Sequence, residues 1–303
     1  MSVLEAIGHT PLVELTKLGN GCPGVRILGK LEGNNPGGSV KDRPAYGMIR
    51  AAEQSGELVP GKTILEATSG NTGIALAMIG AAKGYPVKLC MPACVSVERQ
   101  RVLEALGAEV ILTPSNEGTD GAIRMARRLL ETEPDKYYMP DQFGNPENVL
   151  SHYRTTGPEV FEQTAGEIDA FVAGMGTTGT LMGAGRFFKE RKPSVAIVGV
   201  EPNVGHKIQG LKNMVESIRP GIYDEGVLDD KVYVEDDAAF DVTRRLAVLE
   251  GIFVGMSSGA AVAGAVSYAS RLRSGTIVVI LPDRGDRYLS TTLFRPICAN
   301  CPP

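Results

Sequence analysis

From residue 63 onward, short runs rich in β-branched and apolar residues alternate with longer stretches whose apolar positions recur at helical spacing. The runs at 63–67, 87–91 and 109–113 read as strands, and the stretches at 73–83, 96–106 and 118–130 as the helices that follow them. The alternation resumes downstream, with strands predicted at 170–173, 195–200 and 276–281 and helices at 180–191, 238–250 and 258–271. A short run at 252–254 also reads as a strand. The predicted strands lack strict apolar–polar alternation, so both of their faces are expected to be covered. Such strands, joined by helices, indicate buried parallel sheets with right-handed crossovers. The fold class is α/β.

At 303 residues the chain exceeds one typical domain, and two are expected. The irregular stretch 141–148, with its Asn145-Pro146 turn, reads as a hinge between two α/β units. A second irregular stretch, 201–231, carries glycines, prolines and mixed charges and reads as a long lid loop. The net charge of −4 provides no basic field, so nucleic acid is not an expected partner. No apolar run reaches the roughly 20 residues of a membrane helix, and the N-terminus lacks the plan of a signal peptide; a cytoplasmic location is expected. Cys22, Cys90, Cys94, Cys298 and Cys301 show no disulfide-framework spacing. Three histidines are too few for a histidine metal cluster, and Cys298-Ala299-Asn300-Cys301 is half a zinc motif, so no metal is expected.

Four small-residue turns carry the chemistry. Lys41 follows the turn-rich Asn34-Asn35-Pro36-Gly37-Gly38 and opens an amphipathic helix predicted over 42–53, with Pro44 in its first turn. A lysine at a helix N-terminus faces the positive end of the macrodipole, which disfavours its protonated form; with desolvation added, the amine becomes a nucleophile for carbonyls. In Thr68-Ser69-Gly70-Asn71-Thr72-Gly73 a strand ends and a helix begins, which aims backbone N–H groups and hydroxyls at one spot suited to a carboxylate. Asn71 adds a donor for a phenolate or carbonyl oxygen. Gly174-Met175-Gly176-Thr177-Thr178-Gly179-Thr180 satisfies G-x-G-x-x-G with Glu201 about one βαβ unit later, which keeps a dinucleotide site open. Its three threonines favour a compact phosphate monoester instead. Ser257, in Gly255-Met256-Ser257-Ser258-Gly259, is predicted at a strand's carboxyl end, where a hydroxyl can meet a ring nitrogen.

These turns, together with Lys30–Pro36, Asp141-Gln142-Phe143-Gly144-Asn145-Pro146, Thr155-Thr156-Gly157-Pro158-Glu159 and the segment 283–291, resemble the pyridoxal-phosphate enzymes of the tryptophan-synthase-β type. Within that group they are most similar to the cysteine synthases (O-acetylserine sulfhydrylases) of the B type, although His206-Lys207-Ile208-Gln209-Gly210 is similar to the A type. The resemblance runs over roughly residues 4 to 294.

The resemblance implies two domains, each a twisted, mostly parallel sheet flanked by helices, with the active site between them. Residues 42–148 would form the smaller, mobile domain that binds the substrate carboxylate, and 1–41 with 149–303 the larger domain that binds the cofactor phosphate. It makes Lys41 the catalytic Schiff-base lysine of pyridoxal 5'-phosphate and Asn71 the partner of the phenolic oxygen. Gly176, Thr177, Thr178, Gly179 and Thr180 become the phosphate cup, and Ser257 the partner of the pyridine nitrogen. Thr68, Ser69, Asn71, Thr72 and Gln142 would hold the α-carboxylate. Lys212 lies where some relatives carry an arginine and would favour an anionic leaving group or sulfur donor. The implied reaction is β-replacement through an aminoacrylate, forming L-cysteine from O-acetylserine or O-phosphoserine with sulfide or thiosulfate. The implied assembly is a homodimer that can bind serine acetyltransferase. Rival readings are a cystathionine β-synthase-like enzyme, a serine/threonine dehydratase, an NAD-dependent oxidoreductase using 174–179 with Glu201, and a non-catalytic amino-acid sensor.

Overall fold

The computed structural model describes residues 2–294 apart from 69, 94 and 96, with the backbone alone at residue 20. Ser69 and the Cys298/Cys301 pair therefore lie outside the described residues. The chain runs β1 (Leu12–Glu14), β2 (Val25–Leu31), α1 (Asp42–Ser55), β3 (Thr63–Ala67), α2 (Asn71–Lys83), β4 (Val87–Pro92), α3 (Val97–Ala105), β5 (Glu109–Thr113), α4 (Gly118–Thr132) and β6 (Tyr137–Tyr138). It continues through α5 (Pro146–Arg154), α6 (Thr156–Gln163), β7 (Ala170–Gly174), α7 (Gly179–Arg191), β8 (Ala196–Pro202), β9 (Asp230–Val234), α8 (Asp236–Arg245), α9 (Met256–Ala269) and β10 (Gly275–Leu281).

The strands form two sheets, a six-stranded one in the order β1-β2-β10-β7-β8-β9 and a four-stranded one in the order β5-β4-β3-β6. Every pairing is parallel except β1 with β2. The α/β class with parallel sheets follows the sequence reading. The central strands show no in–out alternation of burial: β10 is buried continuously from Ile277 to Leu281, as a strand covered on both faces must be. Helices α2 and α9 are apolar nearly all round and are buried accordingly.

Three expectations need correction. The run 252–254 is no strand; only Val254 makes an isolated bridge, to Arg284. The helix expected over 238–250 is α8 followed by a π-helical turn, Leu246–Glu250, which ends at Gly251 in the left-handed conformation. The irregular stretch 201–231 begins inside β8 and ends inside the edge strand β9.

A buried ionic knot ties the two sheets' helices together near the start of α1. Lys30 on β2, fully buried, donates to Thr10 O (2.7 Å), Glu159 Oε2 (2.8 Å) and Gln163 Oε1 (2.8 Å). Arg43 on α1 meets Glu32 through Nε (2.7 Å) and Nη2 (2.8 Å), and meets Glu159 through Nη1 (2.6 Å) and Nη2 (2.8 Å). Arg43, two positions past Lys41, is thereby fixed, and with it the direction in which α1 begins.

Candidate active site

The loops leaving the carboxyl ends of β2, β3, β6, β7, β8 and β10 converge on one cavity of about 550 Å³. Open parallel sheets place ligands there because helix N-termini and unpaired backbone N–H groups collect at that edge. Lys41, Thr68, Asn71, Thr72 and Gln142 line it, together with Gly176, Thr177, Thr178, Thr180, Ser257 and Lys212. Gly179 is buried beneath the loop and does not line the cavity; it packs on the Asn148 carboxamide, where a side chain would collide.

Lys41 caps α1. Among the described residues its Nζ makes no hydrogen bond or ion pair. Burial pushes its pKa down, and the carboxylates of Asp283 and Glu32 only partly oppose that. The result is an amine with nucleophilic character. The described residues that line the cavity include no Asp or Glu, whereas Lys41, Arg99, Lys207 and Lys212 are all basic. Such a lining selects anionic ligands.

At the α2 entrance, Thr72 Oγ1 donates to Gln142 Oε1 at 2.6 Å. That bond turns the Gln142 oxygen inward and leaves its NH₂ group for a ligand. The 174–180 loop is braced from behind by α5: Asn148 Nδ2 donates to Gln142 O (2.7 Å) and Thr177 Oγ1 (3.1 Å), and His152 Nε2 stands 3.3 Å from Thr180 Oγ1. The other His152 nitrogen is 2.8 Å from Thr156 Oγ1, and burial, with Arg43 and Lys41 nearby, holds the imidazole well below its ordinary pKa and neutral. Gly176 is required because a Cβ would lie 2.5 Å from Gly210 O. Thr178 adopts φ +70°, a conformation costly for a β-branched residue. Replacing Thr178 with glycine should raise the unfolding free energy of the cofactor-free protein by up to about 1 kcal/mol. The same change should weaken phosphate-ligand retention. Thermal unfolding together with equilibrium dialysis checks both signs, and a destabilised variant contradicts the strain.

Ser257, nearly buried in the first turn of α9, faces the cavity with a hydroxyl that makes no hydrogen bond among the described residues. Lys212 Nζ lies over the Phe143 ring, 4.9 Å from its centre, and its pKa is lowered by burial, against Asp120. It is not a freely solvated lysine. Glu201 does not reach the cavity: it is buried, accepts from Met214 N at 2.7 Å and lies 4.0 Å from Lys231 Nζ. The dinucleotide reading thereby loses its ribose partner.

Sequence reasoning missed the side chains that hold the site in place. Asn148 and His152 occur four residues apart on α5, the spacing of one helix face, just after the Asn145-Pro146 helix start; that spacing was the available signal. Asp283, Arg287 and Tyr288 sit in the matched 283–291 motif, but the residues that Asp283 and Arg287 meet across the site, Asn71 and Gly37, are distant in sequence and no local pattern announces them.

The donor set fits pyridoxal phosphate. An unpaired lysine amine, an acid-free cup at a helix N-terminus and a neutral hydroxyl correspond to an aldehyde, a phosphate and a ring nitrogen. A family model for the pyridoxal-phosphate dependent enzymes matches residues 3–283. Cysteine synthase B of Salmonella typhimurium is 49% identical over 295 residues, covering 97% of this chain and 96% of that protein. The cysteine synthase of Aquifex aeolicus is 48% identical over 300 residues, covering 97% and 92%. The crystal structure of cysteine synthase from Entamoeba histolytica matches with a TM-score of 0.92 at 41% identity, over 97% of this chain and 90% of that one. Fold, cavity chemistry and full-length similarity agree, and the chain belongs to the pyridoxal-phosphate dependent enzymes.

Proposed function

We propose that this enzyme replaces the β-substituent of an O-activated L-serine with sulfur to form L-cysteine, using O-acetylserine as the serine donor and sulfide or thiosulfate as the sulfur donor. The observation that carries the reading is the Lys41 amine, which has no partner among the described residues and shares with Gly176, Thr177, Thr178, Thr180 and Ser257 a cavity whose described lining holds no carboxylate. The names of the similar proteins support the product.

In this reading the loop Gly176–Thr180 and the positive end of α7 hold the cofactor phosphate. Asn71 meets the phenolic oxygen. Ser257 meets the pyridine nitrogen with a group too weakly acidic to give it a full charge. When bound, the cofactor supplies an electron-withdrawing ring that weakens the Cα–H bond of an attached amino acid. Thr68, Thr72, Asn71 and the Gln142 NH₂ group hold the α-carboxylate at the start of α2, and Ser69 is given the same part on resemblance alone. Lys41 Nζ then takes the Cα proton as general base and is held close enough by α1 to need no diffusion step. Residues 42–148 act as the smaller domain and close over the carboxylate, excluding water. The Lys212 cation at the mouth supports an anionic leaving group or sulfur donor, which keeps O-phosphoserine and thiosulfate in play. A cytoplasmic homodimer able to dock serine acetyltransferase is our reading on resemblance alone.

The test is product formation by pyridoxal-phosphate-loaded protein. L-Cysteine should appear from O-acetylserine plus sulfide. Exchanging Lys212 for alanine should reduce the rate with thiosulfate or O-phosphoserine more than the rate with O-acetylserine and sulfide. Absence of cysteine with every donor pair overturns the proposal.

A further inference from the structure

We infer that Arg287 is a positioning residue that sets the Lys41 loop and Asn71 in register with each other, while Asp283 and Tyr288 fix which edge of the Asn71 carboxamide meets the ligand. The inference rests on the cofactor reading above and adds to it a group of residues to which that reading gives no part.

Arg287 lies half-buried in the single 3₁₀ turn Gly285–Tyr288 that follows β10. Its guanidinium donates through Nη1 to Asn71 Oδ1 and through Nη2 to Gly37 O. Asn71 Nδ2 donates to Asp283 Oδ2 at 2.6 Å, and the same oxygen accepts from Tyr288 OH at 2.5 Å. Arginine has donors only, so the atom of Asn71 it meets must be the oxygen, and chemistry fixes the amide orientation. Asp283 takes one Nδ2 proton. The second Nδ2 proton is then the one donor Asn71 has left to offer the cavity, and a ligand atom that meets it must be an acceptor.

The other prong reaches the Lys41 loop. Gly37 precedes Lys41 by four residues and is gripped from both sides, its carbonyl by Arg287 and its N–H by Asp42 Oδ2 at 2.5 Å. Gly38 turns there with φ +79°, and a Cβ on it would run into the guanidinium. Lys41 caps α1 and Asn71 begins α2, so the two lie on different helices, which share a core cluster below their N-termini. On pyridoxal phosphate the aldehyde carbon and the phenolic oxygen are attached to adjacent ring carbons. Two residues that address them must keep a fixed spacing, and one guanidinium spans both segments.

The experiment compares Arg287→Met, Arg287→Lys, Asn71→Ala and the double variant Arg287→Met/Asn71→Ala. Three quantities are read: the pyridoxal-phosphate dissociation constant by equilibrium dialysis, the ratio of the two absorption bands that reports protonation of the phenolic oxygen, and the melting temperature. Arg287→Met should weaken cofactor binding about tenfold and shift the band ratio in the direction Asn71→Ala shifts it. Arg287→Lys keeps the charge but not the fork, so it should behave like Arg287→Met. In the Asn71→Ala background, Arg287→Met should move the band ratio by less than about twofold more, the non-additivity expected of residues acting as one unit. An unchanged band ratio in Arg287→Met, or effects that simply multiply, overturns the inference. If Arg287→Met does not fold, Asp283→Ala takes its place, with the same shift expected and its absence equally decisive. A wild-type protein that develops no band with pyridoxal phosphate indicts the cofactor reading itself, not the clamp.

Discussion

Exchanging Lys41 for alanine should lower turnover by roughly 10³- to 10⁴-fold, the loss typical of removing a positioned general base that also anchors the reacting group. Stability should not fall with it. The Lys41 amine has no hydrogen-bond partner among the described residues and is held in its cavity against a desolvation cost. Removing a desolvated amine that has no partner among the described residues relieves that cost, so the melting temperature of the cofactor-free variant should stay level or rise. Steady-state rates and thermal unfolding of the same preparation check the pair of outcomes. A variant that is both inactive and unstable places Lys41 in the scaffold. A variant with normal turnover removes it from the chemistry.

The second large effect concerns the ionic knot beneath α1. Glu159→Ala should destabilise the fold by about 3–5 kcal/mol, because it strands Lys30 and Arg43 in the interior with fewer partners. For a protein of this size that corresponds to a melting-temperature drop on the order of 10 °C. The knot also sets the acid limb of stability. Burial opposes ionisation of Glu159, but hydrogen bonds and charge from Arg43, with Lys30 adding to them, bring its pKa down to about 2. Glu32, buried as well, is likewise lowered through Arg43. Both folded-state values lie below the ordinary carboxylate range, so their stabilisation is complete above about pH 4.5 and is lost as pH falls through the folded values. Two buried carboxyls act oppositely: burial raises Asp42 to about 7 and Glu66 to about 8, so what they contribute is complete only below the ordinary carboxylate range and is lost as pH climbs from about 4 through the folded values. Stability should therefore peak near pH 4 to 5, where the knot is ionised and these two carboxyls remain protonated in the fold. Unfolding in denaturant across pH measures it; a Glu159→Ala variant with the acid limb of the parent contradicts the role given to the knot.

The legible parts of the sequence were those where a pattern is local. β3 and β5 carry short apolar runs at 64–65 and 110–112, each followed by a helical stretch, and lie where the pattern puts them. β2 was missed because Arg26 and Lys30 interrupt its run, yet Lys30 points into the knot instead of into water. β1 has three residues and β6 two, too short for any periodicity, and β9 is an edge strand with Tyr233 largely exposed. The predicted hinge at 141–148 overlaps the start of α5, whose Asn145 cap and Pro146 give a helix signal that the turn reading overrode. At the site, Lys41, Asn71 and the 176–180 loop were readable because each sits in its own small-residue turn. Arg287 was not, since what it does is decided by Gly37 and Asn71, both of which are more than 200 residues away in the chain.

Three lysines line the cavity, Lys41, Lys207 and Lys212, and the account assigns the covalent role to the first alone. Borohydride reduction of the pyridoxal-phosphate-loaded protein, followed by peptide mapping, discriminates among them. The pyridoxyl group should be found on the peptide containing Lys41. Finding it on Lys207 or Lys212, with Lys41 unmodified, contradicts the account.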